Sequence, residues 1–198
     1  MRKYIVLFLF AFSLTQLFAD YDKNSLFEEL KEKYGNLKSV SATIINKQDK
    51  VKGIMKAEKG NKYYVETDNR VLVSNGTTIW NYSKSEKKVI ISSMSSYELS
   101  QSLDYIFFSF LNDFDPTELS VDETAYRLEL IYNKKMNTMI DKLFLVIDKK
   151  TLLIRKIQMQ SGYSSQTWDI KDLKLNPKLG KNTFEFKIPE GTEVVDLR

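Results

Sequence analysis

Val71-Leu-Val-Ser-Asn-Gly-Thr-Thr-Ile-Trp80 is the clearest local signal in the chain, and the fold class follows from it. Asn-Gly set between β-branched residues favours a two-residue type I′ turn joining antiparallel strands. Counting out from Asn75-Gly76 places Leu72 opposite Ile79 and Val71 opposite Trp80. Strand-like alternation continues on both sides of this hairpin. Val40, Ala42 and Ile44 alternate with polar neighbours, followed by Gly53, Met55 and Ala57, then Tyr63 and Val65. Beyond the hairpin come Val89 to Ile91, then Tyr126, Leu128, Leu130 and Tyr132, then Leu143, Leu145 and Ile147 with a turn at Asp148-Lys-Lys150. Ile154 to Met159, Trp168 with Ile170, Phe184-Glu-Phe-Lys-Ile188 and Val194-Val195 complete the series. About ten or eleven strands joined by short turns predict an antiparallel sheet that curls on itself.

Two helical segments interrupt this pattern. Ser25 and Glu28 form a capping box ahead of Leu26, Phe27, Leu30 and Tyr34, which predicts a helix from about Ser25 to Tyr34. Ser95 and Glu98 form a second box, followed by a stripe of Leu99, Leu103, Ile106, Phe107 and Phe110. Phe108, Leu111 and Phe114 widen that stripe beyond one buried face, and Asp115-Pro116 is expected to end the helix. Two accounts of this broad helix stand side by side: a fully buried helix inside the curled sheet, or a plug over an apolar cavity. The strand aromatics Tyr63, Trp80, Tyr82, Tyr126, Tyr132 and Trp168 leave the same choice between a closed core and a ligand cavity.

Residues 1–19 read as a cleavable export signal. Arg2 and Lys3 precede an apolar run from Ile5 to Leu14, and Leu17-Phe18-Ala19 ends on a small residue before polar chain begins at Asp20. The run is shorter than the roughly 20 residues a membrane-spanning helix needs. A single domain is expected over residues 20–198. The chain has no Cys among its 198 residues, which excludes disulfides, a thiol nucleophile and an acyl anchor on an N-terminal Cys. It also has no His, which removes the Ser-His-Asp triad and the commonest zinc ligand. The net charge of +4 falls by the two charges of Arg2 and Lys3 on export, so no basic face for nucleic acid is expected. Asp113, Asp115, Glu118, Asp122 and Glu123 cluster in sequence but read as turn and strand-edge residues rather than a catalytic acid pair. Neither a catalytic residue, a metal site nor a cofactor is expected.

The order of these elements, with Leu72 to Tyr82 and Phe184 to Asp196 as its best pieces, resembles the LolA family of periplasmic lipoprotein carriers. The resemblance implies an incomplete antiparallel β-barrel with helices forming a lid over an apolar cavity. It implies a monomeric periplasmic protein that shelters the acyl chains of lipoproteins. Such a carrier receives them from an ATP-driven release complex in the inner membrane and delivers them to an outer-membrane acceptor. On this view Tyr63, Val71, Val73, Trp80 and Tyr82 line the barrel side of the cavity, and Leu99, Leu103, Ile106, Phe107 and Phe110 form the lid face. The family typically carries an Arg-Pro pair that helps hold the lid, where this chain has Lys59-Gly60. Lys59 is thus the expected latch, with a charged donor but without the planar fork of Arg. The family's aromatic positions in the next strand fall on Tyr63 and Val65, and only the first is kept in kind. Alternatives are a lipid- or lipoprotein-sensing module of the same fold, or a carboxylate-based hydrolase.

Overall fold

A computed structural model describes residues 21–94, 108, 110–133 and 140–198. The export signal and Leu99, Leu103, Ile106 and Phe107 of the expected lid face lie outside these residues. The described residues open with helix α1 (Lys23–Gly35). Its N-cap is Asp22, not Ser25: Asp22 Oδ1 accepts from the N–H groups of Asn24 and Ser25 at 2.8 and 3.2 Å. Ser25 Oγ donates to Asp22 Oδ2 at 2.5 Å, so the serine orients the cap instead of being it. The helix buries Leu26, Phe27, Leu30 and Tyr34, the four positions its periodicity marks.

Among the described residues twelve strands follow and form one sheet. They are β1 (Ser39–Asn46), β2 (Val51–Glu58), β3 (Lys62–Thr67), β4 (Arg70–Asn75), β5 (Thr78–Ser83) and β6 (Lys88–Ser93), then β7 (Phe114–Val121), β8 (Ala125–Tyr132), β9 (Lys142–Asp148), β10 (Ile154–Ser161), β11 (Ser164–Leu175) and β12 (Glu193–Asp196). Their order in space is β12-β6-β5-β4-β3-β2-β1-β11-β10-β9-β8-β7. β7 and β12 do not pair, so the sheet stays open. Every neighbouring pair is antiparallel except β12 with β6, which is parallel. Register shifts in the β1–β11, β9–β10 and β7–β8 pairs add the local bend and twist that curl the sheet.

The Asn-Gly hairpin forms, but in a different register from that counted off the sequence. Val73 pairs with Trp80, Ser74 with Ile79 and Val71 with Tyr82. The loop is therefore Gly76-Thr77, with Gly76 at φ 96° in the first central position, as a type II′ turn requires. Asn75 stays in the strand because its Oδ1 accepts from Thr77 N–H, Thr77 Oγ1 and Thr78 N–H at 2.9–3.0 Å. That side-chain turn relieves Asn75 of the positive φ that a type I′ turn demands.

Two further corrections concern strand limits. Asp115-Pro116 does not stop a helix, because a short 3-10 turn at Phe110–Asp113 precedes it and both residues belong to β7. Proline is tolerated there because β7 is an edge strand and the register slips between Pro116 and Glu118. Conversely, Phe184 to Ile188 alternates like a strand but joins no ladder. Its main chain closes local turns instead, Thr183 N–H to Gly180 O at 3.1 Å and Glu185 N–H to Asn182 O at 3.3 Å.

Candidate functional site

Residues directly opposite in an antiparallel pair point to the same face, so the register sorts the apolar side chains into two sets. Val40, Ala42, Met55, Ala57, Tyr63, Val65 and Leu72 fall on the face that carries α1, together with the inward residues of β8 to β10. Leu26, Phe27, Leu30 and Tyr34 of α1 pack into the same core as Leu128, Leu130, Leu143, Leu145 and Ile147. Val71, Val73, Trp80 and Tyr82 occupy the opposite face, paired in register with Glu66, Tyr64, Ile91 and Val89. Of the five side chains assigned to one cavity wall, Tyr63 alone is on the α1 face.

The reason is visible in the residues themselves. Val71-Leu72-Val73 is apolar on both faces, so its alternation carries no phase. Only pairing with β3, where Tyr63 meets Ser74 and Val65 meets Leu72, settles which of the three turn inward. Leu72 therefore shares the α1 face with Tyr63 and Val65, a placement that sequence reasoning misses, as it does for Ile157, Met159, Ile170 and Leu173 at the same core. Their alternation is readable, but their common face is not.

Helix α1 is fastened to the sheet at both ends. Lys23 Nζ donates to Thr117 O of β7 at 3.0 Å. At the other end Lys59 Nζ donates to Gly35 O at 3.1 Å, placing a cation on the helix C-terminus. Beside it the Tyr34 hydroxyl donates to Leu152 O at 3.3 Å and accepts from Ile154 N–H at 2.9 Å. Lys59 therefore bridges the β2–β3 turn to α1, and Tyr34 bridges α1 to the β9–β10 turn. Nothing in the local sequence distinguishes Tyr34 from an ordinary core aromatic; its polar role appears only when the β9–β10 turn is brought to it.

Burial pushes the Tyr34 hydroxyl up to about 12 from its ordinary 10. The folded pKa lies above the unfolded one, so this contribution is complete below pH 10 and is lost as pH rises from 10 through 12. Tyr34→Phe is expected to cost about 1–2 kcal/mol at neutral pH, because Ile154 N–H and Leu152 C=O lose a buried partner. Urea titrations at pH 7 and across the alkaline window check this, the variant losing less stability above pH 10 than the parent. A residual alkaline fall persists in both. Hydrogen bonding to Glu29 raises Tyr21 to about 12, and burial with the Glu66 contact does the same for Tyr64.

Two of the acids that cluster in sequence, Asp115 and Asp122, bond their neighbours across turns and strands. Asp122 Oδ1 accepts from Thr124 and Ala125 N–H at 2.8 Å each, and its other oxygen pairs with Arg127 at 2.5 Å. Those bonds hold its carboxyl far below the usual carboxylate range. Asp115 Oδ1 accepts from Asn133 Nδ2 at 3.0 Å. Among the described residues, two open grooves of about 560 and 490 Å³, one between the β9–β10 turn and β11 and one beside Gly53, contain none of the expected ligand residues.

The architecture is thus an open, curled antiparallel sheet whose inner apolar face is covered by a helix. The family model for the outer membrane lipoprotein carrier protein LolA matches residues 39–187. The chain belongs to that family. An outer-membrane lipoprotein carrier protein of Francisella tularensis subsp. tularensis (strain WY96-3418) is 24% identical over 208 residues, covering 99% of this chain and 98% of the relative. One of the same name from Wigglesworthia glossinidia brevipalpis is 27% identical over 126 residues, covering 63% and 59%. Among solved structures, an uncharacterized conserved protein from Thermus thermophilus shares the fold, with TM-score 0.57 at 11% identity over 87% of this chain and 98% of that one. Among the described residues no helix is long and apolar enough to cross a membrane.

Proposed function

We propose that this protein is an exported periplasmic carrier, monomeric and without catalytic activity. It shields the acyl chains of lipoproteins between an inner-membrane ATP-driven release complex and an outer-membrane acceptor. The observation that carries the reading is the family match across most of an open sheet whose inner face carries one contiguous apolar core. Each methylene taken out of water gains about 0.8 kcal/mol, so an acylated protein crosses an aqueous space only against an apolar surface of this kind. In this proposal Tyr63, Val65 and Leu72 contribute to the acyl-binding wall, and Leu99, Leu103, Ile106, Phe107 and Phe110 form the lid face. Val71, Val73, Trp80 and Tyr82 support that wall from the other side of the sheet. Cargo competes with the protein's own packing for the inner face, which keeps binding reversible.

The test is recovery of the exported protein from cells, followed by mass analysis of what accompanies it. A co-purifying acylated protein is the expected result. Persistent absence of one, with the protein folded and binding-competent, removes the carrier reading. Lys59 is proposed as the latch on α1. Lys59→Leu is expected to loosen the free form and slow release of cargo to acceptor vesicles, since loaded protein no longer regains the Lys59 to Gly35 bond on emptying. Transfer at the parent rate would take Lys59 out of the mechanism.

A further inference from the structure

The sheet has a second apolar face, and the way it is covered differs from the first. Val71, Val73, Val89 and Ile91 are buried there, Val73 and Val89 with 0% of their surface exposed. Trp80 and Tyr82 share that face by register. The chain leaves β11 beside β1 and must reach β12 beyond β6, so residues 176–192 cross this half of the sheet. Phe186 meets the Tyr82 ring at 5.6 Å between centroids, which sets the crossing on the face opposite α1, and Phe184 is buried on the way.

This segment is tied firmly only at its ends. At the first, Asn176 Oδ1 accepts from Lys38 N–H at 2.7 Å, Asn176 N–H donates to Ser39 O at 2.8 Å, and Pro177 O accepts from Ser39 Oγ at 2.8 Å. At the second, β12 pairs with β6 and Glu193 bonds Lys88 at 2.8 Å. Between them, residues 178–191 make no main-chain hydrogen bond to the sheet among the described residues; their bonds close their own turns. At the junction with β12, Thr192 Oγ1 is buried with no hydrogen-bond partner among the described residues, which weakens the seat further. The cover is therefore held by side chains, chiefly two phenylalanines, and lifting it breaks no ladder. Regions of few hydrogen bonds and small apolar contact open below the global unfolding free energy.

We infer that residues 178–191 form a strap that lifts as a unit from the outer face of β4 to β6 while the sheet and α1 stay folded, exposing a second apolar surface. This inference does not depend on the carrier reading.

The absence of native Cys allows a direct test. Val73→Cys places a thiol under the strap, and Val40→Cys places one in the α1 core, where 3% of the valine is exposed. Cys is a small hydrophobe and fits either site. With a thiol reagent under native conditions, Val73→Cys is expected to label at least about tenfold faster than Val40→Cys, which waits for unfolding. Adding Phe184→Ala should speed labelling at position 73 about tenfold more and leave position 40 unchanged. Equal slow labelling at both positions, or equal acceleration of both by Phe184→Ala, would overturn the strap. Far-UV dichroism and urea midpoints identify a variant that fails to fold, and Phe186→Ala then replaces Phe184→Ala as the loosening change.

Discussion

Leu145→Ala is expected to lower the stability of the folded protein by about 2–5 kcal/mol, the range seen when a fully enclosed leucine is truncated. Leu145 lies in the middle of β9, has no exposed surface, and sits between Leu128 of β8 and Ile157 of β10 on the α1 face. Its neighbours are held by ladders on both sides and cannot close the space. Urea unfolding measures the loss, with Val121→Ala as the comparison. Val121 is 44% exposed on the edge strand, so its truncation should change stability by no more than about 0.5 kcal/mol. A loss below about 1 kcal/mol at Leu145 would mean that this part of the inner face is loosely filled, contrary to the close packing of α1. The result bears on the proposed function, because a carrier needs one region of the inner face that stays packed while another exchanges its own contacts for cargo.

Gly76→Val is the second large effect. Gly76 adopts φ 96° in the β4–β5 turn, and a Cβ built on it would lie 2.6 Å from Gly60 O in the β2–β3 turn. A β-branched residue is strained at that φ, and the contact cannot be relieved by a side-chain rotation because the obstructing atom is backbone. Destabilisation of more than about 2 kcal/mol is expected, read by urea or heat. Gly76→Ala should cost less, as it brings the same contact with a smaller side chain. The neighbouring turn carries Lys59, so a partly folded Gly76→Ala should also disturb the Lys59 to Gly35 bond. A variant as stable as the parent would contradict the turn geometry.

The parts of the fold that can be read in advance share a cause. Strand alternation marks β1, β2 and β8 plainly because one face of each is largely apolar and the other largely polar, so periodicity and burial run together. The four buried positions of α1 are readable for the same reason, although its cap is not. Ser25 and Asp22 both offer a capping oxygen, and the choice between them is made by the local geometry of the first turn. Where the sequence misleads, local and tertiary preferences diverge. Phe184 to Ile188 has strand alternation, but no free partner lies beside it where the chain crosses the sheet. Asp115-Pro116 has the form of a helix stop, yet an edge strand with a register slip accommodates it.

The candidate site divides along the same line. Residue types and short-range spacing suffice to say that this chain builds a curled β-sheet with a helix set on it, and that disulfides, thiol and histidine chemistry are absent. Through the order of its motifs they also say which family it joins. Which side of the sheet each apolar residue serves was settled by tertiary contacts alone. A strand such as Val71-Leu72-Val73 is apolar on both sides, and a side chain's face is fixed by the register of the strand next to it. That register depends on Asn75 bonding its own turn, on bulges in β7, β10 and β11, and on Tyr34 reaching Ile154 across the fold. Most of these are contacts between residues far apart in the chain, and local spacing carries no record of them.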